Sequence, residues 1–370
     1  MGRASKPQFY PVVLAGGRGT RFWPLSRKRT AKQLLPLNSK QSMIQETVAR
    51  LTAAAPEKNF WVITNSDLRD NIARQLRSLQ KKQILAEPAG RNTAPAIGLA
   101  AFILLRSDPD AILGLFPSDQ VIEDEKRFRR DLAKAIEIAN SGENIVVMGV
   151  QPTRPETGYG YIETGADSGD GVMRVRRFTE KPDLDRAREF VAAGNYYWNS
   201  GMFIWAASTL AAAIGEYLPK TAKILEEIAS TYGTRRFEST LEKLYPRVEN
   251  ISVDYALLEP RSARGEQGSN IYCIPANFGW NDLGSWTAHY DHRIAQRKHR
   301  DNVIEAAQSY TLDAHGNYLH APGKFIAAVG VENLVVVDSG DALLITTRER
   351  AQDVGKVVKY LDEKKLKALV

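Results

Sequence analysis

The chain has 370 residues, 43% of them hydrophobic and 25% charged, a balance that suits a soluble globular protein and excludes a disordered one. Its length exceeds one small domain, so a large domain with a smaller appendage is expected. The 50 basic and 43 acidic residues leave a formal charge of +7, which suits a polyanionic ligand, and the single cysteine, Cys273, excludes an intrachain disulfide or a thiolate-rich zinc site.

No apolar run approaches the length of a bilayer span. Residues 1–10 lack an apolar signal core, and Lys6 stands where a myristoylation motif needs Ser or Thr. No membrane association is expected, and the cytosol is the expected compartment. No nucleic-acid-binding module is visible, so nucleic acid is not an expected partner.

In chain order, β-branched apolar runs at 10–15, 60–64, 111–116 and 145–150 read as buried strands. Between them, Leu68, Ile72, Leu76 and Leu79, then Phe128, Leu132, Ile136 and Ala139, keep helical spacing. This alternation predicts an α/β fold: a mixed, mostly parallel sheet with helices on both faces, binding ligands beyond the carboxyl ends of its strands. Residues 158–178 change to a hairpin pattern around the turn residues 165–171, which predicts an antiparallel insertion suited to a substrate lobe. Cys273, within the apolar stretch 271–274, reads as a buried strand thiol. Beyond about residue 300, short strands at 310–312, 325–329, 334–337 and 342–345 predict a small β-rich module. The last segment places Val354, Val357, Val358 and Leu361 on one helical face. The expected division is therefore a large domain over 1–295 and a β-rich domain over 296–370 that ends in a helix.

Directly after the first strand stands Leu14-Ala15-Gly16-Gly17-Arg18-Gly19-Thr20-Arg21, followed by Phe22-Trp23-Pro24-Leu25-Ser26. Glycines at a strand end let backbone N–H groups turn toward a phosphate with no Cβ in the way. Phe22 occupies the third glycine position of a dinucleotide fingerprint, and no Gly-Lys-Ser/Thr triplet completes a P-loop, so both of those readings fail. A tight strand-to-helix connection is the alternative for the glycines alone. Arg18 and Arg21 favour phosphate, because a guanidinium stays charged and grips phosphate oxygens in a fork. Lys32, in Ala31-Lys32-Gln33-Leu34-Leu35-Pro36-Leu37, adds a mobile charge nearby.

These segments resemble the signature of the sugar nucleotidyltransferases, G-G-x-G-T-R-x-x-P-L-S followed by K-Q-x-L-P-L, and especially that of the mannose-1-phosphate guanylyltransferases. Ala31 departs from the usual Pro and Leu34 from the usual Phe. The resemblance implies nucleotide contacts from Leu14, Ala15, Gly16, Gly17, Gly19 and Thr20, with Arg18, Arg21 and Lys32 as catalytic cations. A second block, Glu87-Pro88-Ala89-Gly90-Arg91-Asn92-Thr93-Ala94-Pro95-Ala96, sets polar side chains where they can read the ring and amino donors and the carbonyl of guanine. It resembles the guanylyltransferase motif E-P-x-x-R-N-T-A-P, which assigns Glu87, Arg91, Asn92 and Thr93 to the nucleotide.

At the end of the strand near 111–116 comes Pro117-Ser118-Asp119-Gln120, where a carboxylate can hold a hard cation against a phosphate, although Asp119 reads equally as a cap or turn residue. The segment matches the family's P-S-D, with Ser118 beside the nucleotide; Gln120 replaces a common His. Asp282, in Trp280-Asn281-Asp282-Leu283-Gly284-Ser285-Trp286, matches W-x-D-x-G-S-W. Two oxygen ligands, Asp119 and Asp282, suit Mg2+, or another hard divalent cation such as Mn2+. With five His and one Cys, a softer metal is not expected.

Three further segments match the same family in order: Glu156-Thr157-Gly158-Tyr159-Gly160-Tyr161-Ile162, then Phe178-Thr179-Glu180-Lys181-Pro182, then Trp198-Asn199-Ser200-Gly201-Met202-Phe203. They imply sugar phosphate contacts from Gly158, Tyr159, Gly160, Glu180, Lys181, Asn199, Ser200 and Gly201. Asp254, in a segment that also resembles the guanylyltransferases, reads first as a helix cap and second as a group that orients another side chain. For the whole chain the resemblance implies a Rossmann-like catalytic domain and a carboxy-terminal module that often supports a homodimer. The implied reaction takes GTP and mannose 1-phosphate to GDP-mannose and pyrophosphate. Two other readings stay open: a relative using another sugar 1-phosphate or nucleotide, and a non-catalytic GDP-mannose-binding regulatory homologue.

Overall fold

A computed structural model describes residues 8–296 and 301–370; the amino-terminal reading that turned on Lys6 lies outside the described residues. The strands Phe9–Leu14, Trp61–Asn65 and Ile112–Pro117 are largely apolar because each is paired on both sides and covered on both faces. Strand β1 (Phe9–Leu14) runs parallel to both β2 (Trp61–Asn65) and β4 (Ile112–Pro117), and β2 runs parallel to β3 (Ile84–Glu87). A two-residue strand β5 (Val121–Ile122) follows β4, and β6 (Ile145–Val150) returns to the main sheet. The expected hairpin is β7 (Tyr161–Asp167) paired antiparallel with β8 (Met173–Thr179). Strand β9 (Tyr196–Ala206) runs antiparallel to β4, β6 and β7, and β10 (Ile271–Pro275) lies parallel to β6 with Cys273 fully buried. The nine-stranded order is β3-β2-β1-β4-β9-β6-β10-β8-β7. The parallel half therefore carries the glycine-rich loop, and the antiparallel half carries the segments assigned to the sugar.

Helices cover both faces, as the alternating pattern predicts. On one face, Glu125–Asn140 is amphipathic, buries Phe128 and Leu132, and starts where Asp124 accepts from the Arg127 amide at 2.9 Å. On the other, Thr93–Leu105 is apolar nearly all round, because it is enclosed between the sheet and the helices Ala207–Tyr217 and Pro219–Ser230. Gly98 is needed there: a Cβ would stand 2.5 Å from Ile214 Cδ1.

The carboxy-terminal module stacks β12 (Val303–Leu312), β13 (Tyr318–Val329) and β14 (Leu334–Asp338) in parallel, with β15 (Leu343–Thr347) antiparallel to β14. The expected last helix is Val354–Glu363. This module shares a core with the large domain. Trp286 packs on Phe22 at 4.9 Å and stacks on Tyr318 at 5.2 Å, and the Trp23 indole donates to the Leu369 carbonyl at 2.8 Å. The residues just after the glycine-rich loop thus lie between the two parts. Among the described residues, no helix is long and apolar enough to cross a membrane.

Candidate active site

Strands β1 and β4 end side by side, and the loops that leave them carry the first polar groups. Ser118 fastens these ends together: its amide and hydroxyl both donate to the Leu14 carbonyl, at 3.1 and 2.7 Å. It is buried and acts there as a clamp. Lys32 is buried as well, and its ammonium donates to the Asp119 carbonyl at 3.0 Å, to Asp119 Oδ2 at 2.9 Å and to the Asp282 carbonyl at 2.6 Å. Gln33 holds the glycine-rich loop by donating to the carbonyls of Ala15 and Gly17 at 2.9 and 3.1 Å.

Asp282 reaches Asp119 because β11 (Trp280–Asn281) pairs with β5, directly after Asp119 and Gln120. Its Oδ1 accepts from the Gly284 amide at 3.1 Å, and the Tyr159 hydroxyl donates to the same carboxylate. Burial, then the charge of Asp282, push the Tyr159 phenol well above its ordinary range, so it stays a donor. Gln120 is buried and donates to the Ser200 carbonyl at 2.6 Å, while its Oε1 has no partner among the described residues.

Across the cavity, a turn at Gly201, with φ of 76°, lets Asn199 face inward. Asn199 Oδ1 accepts from the Gly201 amide, and Asn199 Nδ2 donates to Asp254 Oδ1, both at 2.9 Å. Asp254 starts a π-helical turn without capping it through its side chain, which corrects the reading that ranked a cap first. Burial, then neighbouring Glu180, push its carboxyl up to about 7. Glu180 is nearly buried, its Oε2 has no partner among the described residues, and a Cβ on Gly160 would stand 2.4 Å from that oxygen. Ser200 turns away and donates to the Met148 carbonyl at 2.7 Å. Lys181, with φ of 47°, pairs with Glu180.

In the segment from Glu87 to Ala96, Asn92 has φ of 64° and caps Thr93–Leu105 by accepting from the Thr93 amide at 3.0 Å. Thr93 Oγ1 accepts from the Val253 amide at 2.9 Å. Glu87 accepts from the Tyr245 hydroxyl at 2.6 Å, and burial raises its carboxyl to about 7. The Arg91 guanidinium donates to the Pro246 carbonyl.

A cavity of about 320 Å³ lies among these elements. Of the residues assigned from sequence, Leu14, Arg21, Lys32, Thr93, Asp119, Gly158, Tyr159, Gly160, Glu180, Asn199, Ser200, Gly201 and Asp282 line it. Ala15, Gly16, Gly17, Arg18, Gly19, Thr20, Glu87, Arg91, Asn92, Ser118 and Lys181 are not among its lining residues. Arg18 instead pairs with Asp362 of the last helix at 3.0 Å. Gln120, Trp280 and Asp254 line the cavity without having been assigned. The first two stand within two residues of Asp119 and Asp282 in sequence. Among the described residues, no group of three or more His, Cys, Asp and Glu side chains is placed to hold a metal. Two carboxylates around an open cavity fit a hard cation that completes its shell with phosphate oxygens and water.

Residues 10–298 match the nucleotidyl transferase family model, and residues 308–361 match a mannose-phosphate isomerase/GMP-like beta-helix domain. The chain is 38% identical over 360 residues to the alginate biosynthesis protein AlgA of Pseudomonas aeruginosa, covering 95% of this chain and 72% of that protein. It is also 38% identical to the mannose-1-phosphate guanylyltransferase RfbM of Salmonella typhimurium, over 95% of this chain and 72% of the relative. A solved structure from Thermus thermophilus, described as a mannose-1-phosphate geranyltransferase, superposes with a TM-score of 0.83 at 32% identity, over 96% of this chain and 99% of the other.

Proposed function

The chain belongs to the nucleotidyl transferase family, and from that premise we propose that it transfers GMP from GTP to α-D-mannose 1-phosphate, giving GDP-mannose and pyrophosphate. The observation that carries this reading is the Lys32 ammonium, which joins the Asp119 and Asp282 segments at one cavity wall. The guanine-type block opens on one side of that cavity through Thr93, and Glu180, Asn199 and Asp254 present paired donors and acceptors for sugar hydroxyls on another. Relatives named as mannose-1-phosphate guanylyltransferases support the choice of substrates.

In this mechanism an oxygen of mannose 1-phosphate attacks the α-phosphorus of GTP in line with the departing pyrophosphate. The nucleophile is already an anion, so no side chain has to take a proton. Lys32 and Arg21 orient and neutralise the phosphates, and the sugar-side groups hold the attacking oxygen in place. Asp119 and Asp282 are the residues that would hold Mg2+ or Mn2+. That ion, when bound, supplies charge neutralisation at the α-phosphate. The cytosolic location expected from the sequence belongs to the same reading, as does a homodimer formed through the β-rich module. That module exposes Tyr310, Leu312, Phe325 and Val329 on two adjacent strands, with Leu312 in register with Val329.

Pyrophosphate release measured over a panel of nucleoside triphosphates and sugar 1-phosphates, with and without magnesium, tests the proposal. GTP with mannose 1-phosphate should give the highest kcat/KM, and chelation should abolish turnover. A faster pair would reassign the substrates, and no turnover with any pair would favour a regulatory, ligand-binding role.

A further inference from the structure

A second cavity, of about 600 Å³, adjoins the first and opens on the side of the carboxy-terminal module. Arg21, Gly158, Tyr159, Trp280 and Asp282 line both cavities. Lys32, Glu180, Asn199 and Asp254 line only the first, whereas Arg154, Arg348 and Gln352 line only the second. The two spaces therefore meet at a shared wall that carries Arg21 and Asp282.

Of the three arginines lining the second cavity, Arg154 is paired with Glu156 at 3.2 Å, while Arg21 and Arg348 are less fully compensated, although Asp291 and Glu349 line the same space. Arg21 donates to Gln352 Oε1 at 2.9 Å, a neutral amide, and makes no ion pair among the described residues. Its guanidinium is thus drawn toward the second space with its charge uncompensated. Arg348 lies over the Tyr290 ring at 4.2 Å and donates to Asn333 at 2.8 Å. Its ionic partner Asp291 stands at 3.7 Å, beyond hydrogen-bond length, and its Nε has no partner among the described residues. Arg21 is fixed by a neutral neighbour, and Arg348 by Tyr290 and Asn333 with a longer ion pair to Asp291, so both keep capacity for an oxyanion.

In-line displacement places the entering and leaving oxygens on opposite sides of the α-phosphorus. Glu180, Asn199 and Asp254, the groups that face the sugar hydroxyls, line the first cavity alone, so the leaving group departs toward the wall the two cavities share. We propose that the second cavity is the exit chamber for pyrophosphate, and that Arg348, supplied by the carboxy-terminal module, is a phosphate-binding residue of it. This rests on the nucleotidyl-transfer reading above. The bond from the α-phosphorus to its bridging oxygen breaks as the bond to the sugar phosphate oxygen forms. The electron pair leaves with the β-phosphate, and no redox partner or proton donor is needed.

The test uses the full chain carrying Arg348→Ala and, separately, Ala288→Glu. Ala288 lines only the second cavity, on the helix Trp286–Ala295, where Glu adds a negative charge without breaking the helix. Calorimetry with pyrophosphate and magnesium, and the KM for pyrophosphate in the reverse reaction, are compared with the KM for mannose 1-phosphate. Each variant should weaken pyrophosphate binding by about tenfold, the size of a lost charged hydrogen bond, and leave the sugar phosphate KM within about twofold. Thermal melting identifies a variant that fails to fold, in which case the other decides. Pyrophosphate affinity within about twofold of wild type in a folded variant, or an equal loss for mannose 1-phosphate, overturns the assignment. If the substrate pair itself is wrong, the wild-type panel fails while direct pyrophosphate binding still reports on this cavity.

Discussion

The backbone of Gly19 passes so close to Lys32 that a Cβ added to the glycine would stand 2.4 Å from the Cβ of the lysine. Gly19 also has φ of 63°, in the left-handed region. The glycine is therefore required by the path of the lysine, and the lysine in turn fixes Asp119 and the Asp282 segment. Gly19→Ala should displace Lys32 and lower kcat even though no ligand contact is removed. Lys32→Ala or Asp119→Ala should lower turnover by about two powers of ten or more, as expected for lost charge partners in the transition state. Steady-state pyrophosphate release measures all three, and an unchanged rate in a folded variant removes that residue from the mechanism.

This relationship marks where sequence was enough and where it was not. The buried strands declared themselves through continuous apolar runs; β6 falls on the expected residues, and β1 stops one residue short, at Leu14, because Ala15 already enters the loop. Strand β9 was hidden, because Asn199, Ser200 and Gly201 interrupt its apolar pattern in order to serve the cavity. The motifs located the cavity, yet they could not tell a lining residue from a supporting one. Ser118 and Asn92 occur at motif positions and spend their side chains on Leu14 and on a helix cap. Arg18 and Arg21 look equivalent in sequence. They differ in space because Asp362 and Gln352, more than three hundred residues away, choose which keeps its charge free. Such long-range partners leave no local trace.

Glu180 keeps one oxygen unpartnered at the cavity, and Asn199 is held by Gly201 and Asp254 so that it cannot swing away. If these groups bind the sugar, Glu180→Ala should raise the KM for mannose 1-phosphate by about tenfold or more, the cost of a lost hydrogen bond to a charged group. The KM for GTP should stay within about twofold. Equal changes in both constants would place Glu180 in the support of the fold.

Glu87 titrates in the folded chain at about 7, above its ordinary 4.5, because burial favours the protonated form. A raised carboxyl stabilises the fold fully below the ordinary value and loses that contribution as pH climbs through 7. Asp254 acts with the same sign between 3.8 and about 7. Wild-type thermal stability should therefore fall between about pH 5 and pH 8, and Glu87→Gln should reduce that fall by on the order of 2 kcal/mol. Melting curves at fixed ionic strength decide it; an identical slope in the variant means Glu87 does not carry the proton.

The β-rich module leaves Phe325 63% and Val329 56% exposed on β13, beside Tyr310 and Leu312 at 53% and 47% on β12. Isolated exposed apolar residues are ordinary, but four on two paired strands form a continuous surface of the kind that associates. A second copy of the chain meeting this face would cover it by symmetry, each module offering the other the same patch. Sedimentation should then show a dimer for the wild type and a monomer for Phe325→Lys combined with Val329→Lys, with turnover per chain retained because the pair lies outside both cavities. A dimer that survives both charges would place the contact elsewhere, and a monomeric wild type would leave these side chains to another partner.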